Sequence, residues 1–459
     1  MTKRLLSFLI CFIILKSNIS QEILLGDYVP GNGIVLASTN NNYKVVLRGY
    51  SQSLFESRTI SYDSSAITDN NRYNRFRARR IRLRLSGNQS YPGFSYRLQL
   101  NLAESEADDG LLSNILWDAW LGYNINKTNK IVIGQKGTPT DNIEVQMASN
   151  TLQLPERSRL TGAFSSIREI GVFYDNRFKL GNKAVVKSML NITTGDGYAY
   201  DVNSRDYGGL KYGARINILP FGLFRNFGQF RQVDMVRELN PKLLIGFSGS
   251  FNNGMSSRRG RRNGDFLFYN ITGVDTTYRL PNYLKLGADL LFKYRGFSLL
   301  AEYVNTKAFV ADDITHRNDR YGDDPTQIIS SFTSYNEIDR VTVSPEEYVK
   351  RQLILGSGFN IQAGYLFKSL FSIDGRFTRI NPDEFSFMNN ATYYNRQNFY
   401  EIGFSKYFAK NYSFKIQASY RLIDNAKLRF QPYYGVENKE RLEFEASENV
   451  FYLMVQVAF

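Results

Sequence analysis

Six arginines stand among the ten residues from Arg75 to Arg84, in the order Arg-Phe-Arg-Ala-Arg-Arg-Ile-Arg-Leu-Arg. A guanidinium group is planar, permanently charged and matched to paired oxygens, so such a run could hold phosphate or carboxylate. Arg80, Arg82 and Arg84 alternate with Ile81, Leu83 and Leu85, and on a strand that spacing makes a ladder on one face. Arg75, Arg77 and Arg79 fall in the opposite phase. Their placement requires a bulge near Arg79 or a strand end at that point. The same arginines could instead pair with carboxylates inside the fold or bind lipopolysaccharide phosphate outside it, and the residues alone leave these readings open.

Other reactive side chains offer little. The single histidine, His316, lies in a long loop near Asp312 and Asp313, whereas a hydrolytic base must be held against a nucleophile by a rigid scaffold. No catalytic residue is expected. Asp319, Asp323 and Asp324 are acidic enough for an adventitious calcium ion, but their spacing fits no EF-hand loop. No metal and no cofactor are expected.

The elements that would position the arginines follow from the rest of the chain. Lys3 and Arg4 precede an apolar run from Leu5 to Leu15, and Ser20 precedes Gln21, the pattern of a secretory signal peptide over residues 1–20. Without Lys3, Arg4 and Lys16 the 57 basic and 43 acidic residues become 54 and 43, a net charge of +11. The one cysteine, Cys11, lies in that leader, so neither disulfides nor thiolate sites are expected in the mature chain. No later segment reaches the roughly 18 apolar residues of a membrane helix. Tyr and Phe number 31 and 34 against 2 Trp, an excess that suits strands facing lipid. A transmembrane antiparallel β-barrel is the remaining way to cross a bilayer; no nucleic-acid partner is expected.

Period-two alternation supports this. Phe94, Tyr96, Leu98 and Leu100 oppose Ser95, Arg97, Gln99 and Asn101, and Tyr412 to Leu422 repeats the pattern against Ser413, Lys415, Gln417, Ser419 and Arg421. About sixteen strands are expected, at 43–56, 74–86, 93–103, 115–124, 129–136, 168–176, 183–192, 209–219, 242–251, 283–295, 296–306, 357–367, 369–380, 398–408, 412–423 and 448–459. Short links alternate with long ones, as periplasmic turns alternate with external loops in outer-membrane barrels. The link at 220–241 is long where a short one is due, so it is expected to carry a small helix or plug. Residues 21–42 are expected to be an N-terminal periplasmic segment and 43–459 the barrel. Phe459 ends an alternating last strand, a signal of the kind read by barrel-assembly machinery.

If the apolar face meets lipid, the polar face lines a lumen. Its basic side chains are Lys44, Arg48, Arg80, Arg82, Arg84, Arg97, Lys187, Lys211, Arg215, Lys285, Lys293, Arg376, Lys415 and Arg421, and its acidic ones Asp118, Glu169, Asp289, Glu302, Asp374 and Glu401. Such a wall lowers the barrier for anions. The segment 137–167 is long enough to fold inward as a constriction, with Lys136, Arg157 and Arg159 as candidates at its narrowest point. Arg258, Arg259, Arg261 and Arg262 are expected as an exposed basic patch.

Several stretches resemble the phosphate-selective porin O and P family. They are Ile133-Gly134-Gln135-Lys136 with Pro139, Arg168-Glu169-Ile170-Gly171-Val172, Tyr212-Gly213-Ala214-Arg215 leading to Pro220-Phe221-Gly222, and Gly287-Ala288-Asp289 followed by Gly296 to Tyr303. The resemblance implies sixteen strands per subunit, a homotrimer in the bacterial outer membrane, and passive uptake of small anions such as phosphate. Contacts with outer-membrane lipid and lipopolysaccharide would follow. The dense basic constriction of its phosphate-specific members has no residue-by-residue match here. A non-conducting barrel, its arginines paired with carboxylates and its loops binding a partner, is the competing expectation.

Overall fold

The computed structural model describes residues 24–29, 33–40, 42–63, 71–89, 93–103, 115–195, 197, 208–260, 266–319, 322–327, 344–389, 396–430 and 442–459. The proposed leader lies outside them. Two strands, β1 (Leu24–Val29) and β2 (Gly33–Ser38), precede the wall strands. The wall then runs through β3 (Tyr43–Asp63), β4 (Asn71–Gln89), β5 (Phe94–Asn101), β6 (Leu116–Asn124), β7 (Asn129–Gly137), β8 (Arg168–Leu180), β9 (Ala184–Thr193), β10 (Lys211–Leu219) and β11 (Lys242–Asn252). After β12 (Phe268–Thr272) and β13 (Asp275–Tyr278) it resumes with β14 (Asn282–Tyr294) and β15 (Phe297–Phe309). Beyond β16 (His316–Asp319) and β17 (Gly322–Gln327) it ends with β18 (Gly356–Leu366), β19 (Phe371–Pro382), β20 (Asn398–Tyr407), β21 (Phe414–Phe430) and β22 (Leu442–Ala458).

Sixteen of these strands form a closed antiparallel barrel, each paired with its neighbour and the last with the first. β22 joins β3 from Glu445 opposite Asp63 to Ala458 opposite Tyr50. Closure leaves no strand edge in the hydrocarbon layer, where an unpaired peptide group would cost several kcal/mol. Just below the seam β2 takes over the same edge of β3, with Ile34 opposite Leu47 and Ala37 opposite Lys44. β1 and β2 thus form a hairpin that continues the sheet beneath β22.

The outward face carries the apolar half of each alternation, with Leu98, Leu121, Ile133, Ile192, Phe247 and Ile402 exposed. Several strands run longer than their hydropathy announced: β3 continues to Asp63, β21 to Phe430, and β22 begins at Leu442. Ladder hydrogen bonds carry these hairpins past the apolar band, where side chains no longer need to alternate. β12, β13, β16 and β17 form a separate small sheet in the external loops. His316 lies there, 2.8 Å from the Thr315 hydroxyl.

Candidate functional site

The arginine run is bent by a bulge. β4 pairs Arg80 with Gln52 and then Ala78 with Ser53, leaving Arg79 as the extra residue. Because the bulge restores phase, Arg75 falls opposite Glu56 and Arg77 opposite Leu54, both inward positions, and all of the arginines from Arg75 to Arg84 share the lumen face. Phe76 points the other way and packs on Phe55, ring centres 4.7 Å apart. Arg75 and Arg77 donate to Glu56 at 2.9 and 3.2 Å. Arg79 and Arg80 converge on Glu156, with Nη2 to Oε2 distances of 3.0 and 2.8 Å. Burial would raise the Glu156 carboxyl, but the two guanidinium groups outweigh it and hold it well below the usual carboxylate range. Farther down, Arg82 stacks 3.7 Å over the Trp117 ring, and Arg84 stands opposite Arg48.

Glu156 belongs to the segment between β7 and β8, which folds into the lumen instead of remaining outside. Its first turn is fixed on the far wall. Asp141 accepts from Lys285 at 2.8 Å, the Ile143 amide donates to Asp289 at 2.9 Å, and the Asn142 amide group and the Glu144 backbone N–H both donate to Glu302 at 2.8 Å. A short helix, Arg159–Phe164, is capped by the Ser158 hydroxyl, which accepts from the Thr161 amide at 3.2 Å. The helix places Leu160, Ala163 and Phe164 against Leu54, Val304 and Ile380. Arg157, expected at a constriction, instead donates to the carbonyls of Glu144 and Met147 and so braces its own loop. Arg159 is half-buried on the helix, and Lys136 lies 3.5 Å from Asp175.

A second segment enters from the opposite end. Residues 220–241 carry a 3-10 turn, Arg225–Phe230, and then rise into the barrel. The Lys293 ammonium donates to the carbonyls of Gly228, Arg231 and Val233 at 2.9, 2.8 and 3.0 Å. Asp234 accepts from Gly296 N at 2.8 Å. At mid-lumen the two segments touch. The Gln153 amide donates to Gln232 Oε1 at 2.8 Å, Gln232 Nε2 donates to Glu144 at 2.9 Å, and Gln362 Nε2 reaches both Gln153 and Gln232.

The expected lumen cations all point inward, but they divide into two sets. Lys211 pairs with Glu169, Arg215 with Asp289, Lys285 with Asp141, and Arg376 and Arg421 with Glu401. Lys415 donates to the Leu152 carbonyl at 2.8 Å. Of these, Lys211, Arg215, Lys285, Arg376 and Lys415 are buried, as is Lys293, while Arg421 keeps 13% of its side chain exposed. The other set lies on the wall of β3 to β9. Arg97 keeps 36% of its side chain exposed, 3.7 Å from Asp118. Arg48, Arg84 and Lys187 are likewise partly exposed, as is Lys130, which the sequence reading did not single out; Lys44 is exposed, whereas Arg80 and Arg82 on the same wall are buried. Among the described residues neither Arg48 nor Arg84 has a carboxylate within ion-pair distance. Arg258 and Arg259, expected in an exposed patch, are corrected by the structure. Arg258 stacks 3.5 Å over Phe387 and Arg259 donates to Gly162 O at 2.6 Å, because residues 255–259 pack against the inserted helix and the segment before β20; Arg261 and Arg262 lie outside the described residues.

The closed barrel, an inserted external loop and a basic inner wall are now in one place. Residues 59–217 match the family described as phosphate-selective porin O and P. The matched stretch spans the arginine ladder, the inserted loop and Arg215, and it is the family that the motifs above resemble. No curated protein matches. Among solved structures, OmpT of Vibrio cholerae aligns at 10% identity over 90% of this chain and 98% of its own, with a TM-score of 0.46. The outer membrane channel DcaP of Acinetobacter baumannii aligns at 11% identity over 92% and 99%, TM-score 0.45. OprB of Pseudomonas putida aligns at 9% identity over 91% and 94%, TM-score 0.47. The family match and the barrel place the chain in the bacterial outer membrane, and they speak for a channel for small solutes rather than an enzyme.

Glu144, Glu156, Gln153 and Gln232 escaped the sequence reading. They carry no periodic signal, and partners that fix them lie far along the chain: Arg80 is 76 residues from Glu156, Gln232 is 88 from Glu144 and Gln362 is 209 from Gln153. The phase break at Arg79 was the one local clue, since it called for a bulge or a strand end at that point.

Proposed function

We propose that the chain is a diffusion channel whose water path follows the β3–β9 wall and favours small anions such as phosphate. The observation that carries this reading is the asymmetry of pairing. On the covered wall cations are matched by carboxylates or carbonyls, while on the β3–β9 wall the partly exposed Arg48 and Arg84 stand opposite each other with no carboxylate within ion-pair distance among the described residues. Unneutralised fixed charge beside confined water raises local anion concentration and lowers the anion barrier. Guanidinium pairs suit phosphate oxygens by geometry. We include in the proposal assembly as a homotrimer, contact with lipopolysaccharide, and recognition of Phe459 by the assembly machinery.

The test is the reversal potential in a planar bilayer under a salt gradient, for the wild-type and the Arg48→Ala, Arg84→Ala, Arg97→Ala triple variant. An anion-selective current that loses most of its selectivity in the variant supports the reading, and block by added phosphate narrows the solute. Cation selectivity, or selectivity indifferent to the three substitutions, overturns it. The Gln153–Gln232–Gln362 junction favours a second reading, a barrel closed at mid-lumen that serves as a structural or partner-binding subunit. Folded protein that carries no current under any voltage would put that reading first.

A further inference from the structure

We propose that the lipid-facing periplasmic rim between β14 and β18 binds the headgroup phosphate of an anionic phospholipid, through Arg295, Arg237 and Lys368 above a floor of Tyr294, Phe297 and Tyr365. Two short turns meet there, 295–296 after β14 and 367–370 after β18, and the base of the 220–241 segment lies between them. Arg237 and Arg295 both adopt left-handed backbone conformations, φ +48° and +50°. Such values are unfavourable for a side chain with a Cβ and persist where the surroundings impose them. The surroundings here are specific: Arg295 N donates to Glu238 O at 2.9 Å and Leu366 N to Gly296 O at 2.9 Å. Gly296, at φ +98°, leaves the space a Cβ would take from the Arg237 guanidinium.

The strain aims both guanidinium groups outward. Arg295 lies 5.1 Å over the Tyr294 ring and Arg237 5.5 Å over the Tyr365 ring, and Arg237 donates to the Tyr365 hydroxyl at 3.2 Å. Tyr294 is opposite Phe297, and Phe297 is opposite Tyr365, in the strand register. The rings therefore form one continuous strip on the lipid face. Arg295 and Lys368 are exposed. A strip of rings at the membrane interface with cations at its watery edge matches a glycerophospholipid, its chains along the rings and its phosphodiester at the guanidinium groups. The acidic groups of the 220–241 segment do not compete. Glu238 is buried and paired with Arg225, and Asp234 is buried against Gly296.

Detergent-purified protein titrated with phosphatidylglycerol or phosphatidylcholine and counted by native mass spectrometry tests the site. Wild-type protein should retain phosphatidylglycerol preferentially, and the Arg295→Gln, Lys368→Gln variant should retain it about 25-fold less with its single-channel conductance unchanged. The Arg295→Lys, Lys368→Arg variant should retain it as the wild type does. Equal retention of both lipids by the wild type, or unchanged retention by the Gln variant, overturns the proposal. Displacement of phosphatidylglycerol by equimolar inorganic phosphate assigns the site to free phosphate and also overturns it, as does a change of oligomeric state without a change in lipid. If the double variant does not reach the heat-resistant folded form, Lys368→Gln alone carries the comparison, with about a fivefold loss expected.

Discussion

Glu156 decides how much of the arginine ladder acts as free charge. It neutralises Arg79 and Arg80 together, so Glu156→Gln adds one net positive charge beside the water path. A unit charge about 8 Å from a permeating ion in water is worth roughly 0.5 kcal/mol. The anion barrier falls and the cation barrier rises by that amount, so the anion-to-cation permeability ratio should rise about fivefold, read from the reversal potential; an unchanged ratio would mean that the carboxylate is remote from the path. A different outcome is expected at Asp289, which is buried and holds the buried Arg215. Its removal in Asp289→Ala strands a charge in a covered site, a loss of about 3–5 kcal/mol. Thermal unfolding of the barrel, followed by its electrophoretic heat shift, should move to lower temperature, while the surface change Lys127→Ala should leave it unmoved. The ladder itself was legible in the residues, as was the phase break at Arg79, which left a bulge or a strand end open until the register with β3 decided for the bulge. Which of its members are neutralised was not, because Glu156 reaches them across 76 residues of chain.

Among the elements, the two inserted segments set the width of the lumen. The external one is held by many independent contacts along its length, from Asp141 to Arg157. The periplasmic one depends on Lys293, whose ammonium gathers three backbone carbonyls. Lys293→Met keeps the length of the side chain and loses these charge-assisted bonds, a local cost of about 2–3 kcal/mol. Single-channel conductance should increase as residues 225–236 leave the lumen, and a double substitution with Gln232→Ala should increase it no further if the segment is already released. Hydropathy located the strands well because lipid and lumen impose opposite solvents on alternate residues. It misjudged the ends of β3, β21 and β22, which continue the ladder beyond the alternating residues. The long link at 220–241 stood out by length, but its path into the barrel is set by Lys293 of β14, which gathers its carbonyls, and by Asp234, which accepts from Gly296 in the turn after β14.

For the whole molecule, the seam between β22 and β3 makes a barrel out of a sheet. Phe459 finishes it, donating to Gly49 O at 2.9 Å and accepting from Gly49 N at 3.1 Å, and Gln52 and Gln456 are bonded at 2.6 Å inside. Deleting Phe459 should reduce the amount of heat-resistant barrel in outer membranes several-fold while leaving refolding into detergent nearly unchanged. Equal losses in both would show a role in the seam itself and none in delivery. The sequence by itself determined the barrel, the inward direction of the basic side chains and the order of turns and loops, because each of these follows from a period of two read along contiguous residues. Only the tertiary structure decided which cations face water. Neutralisation in a lumen depends on carboxylates and carbonyls brought across the barrel by two inserted segments, and such distances are set by closure, not by spacing along the chain.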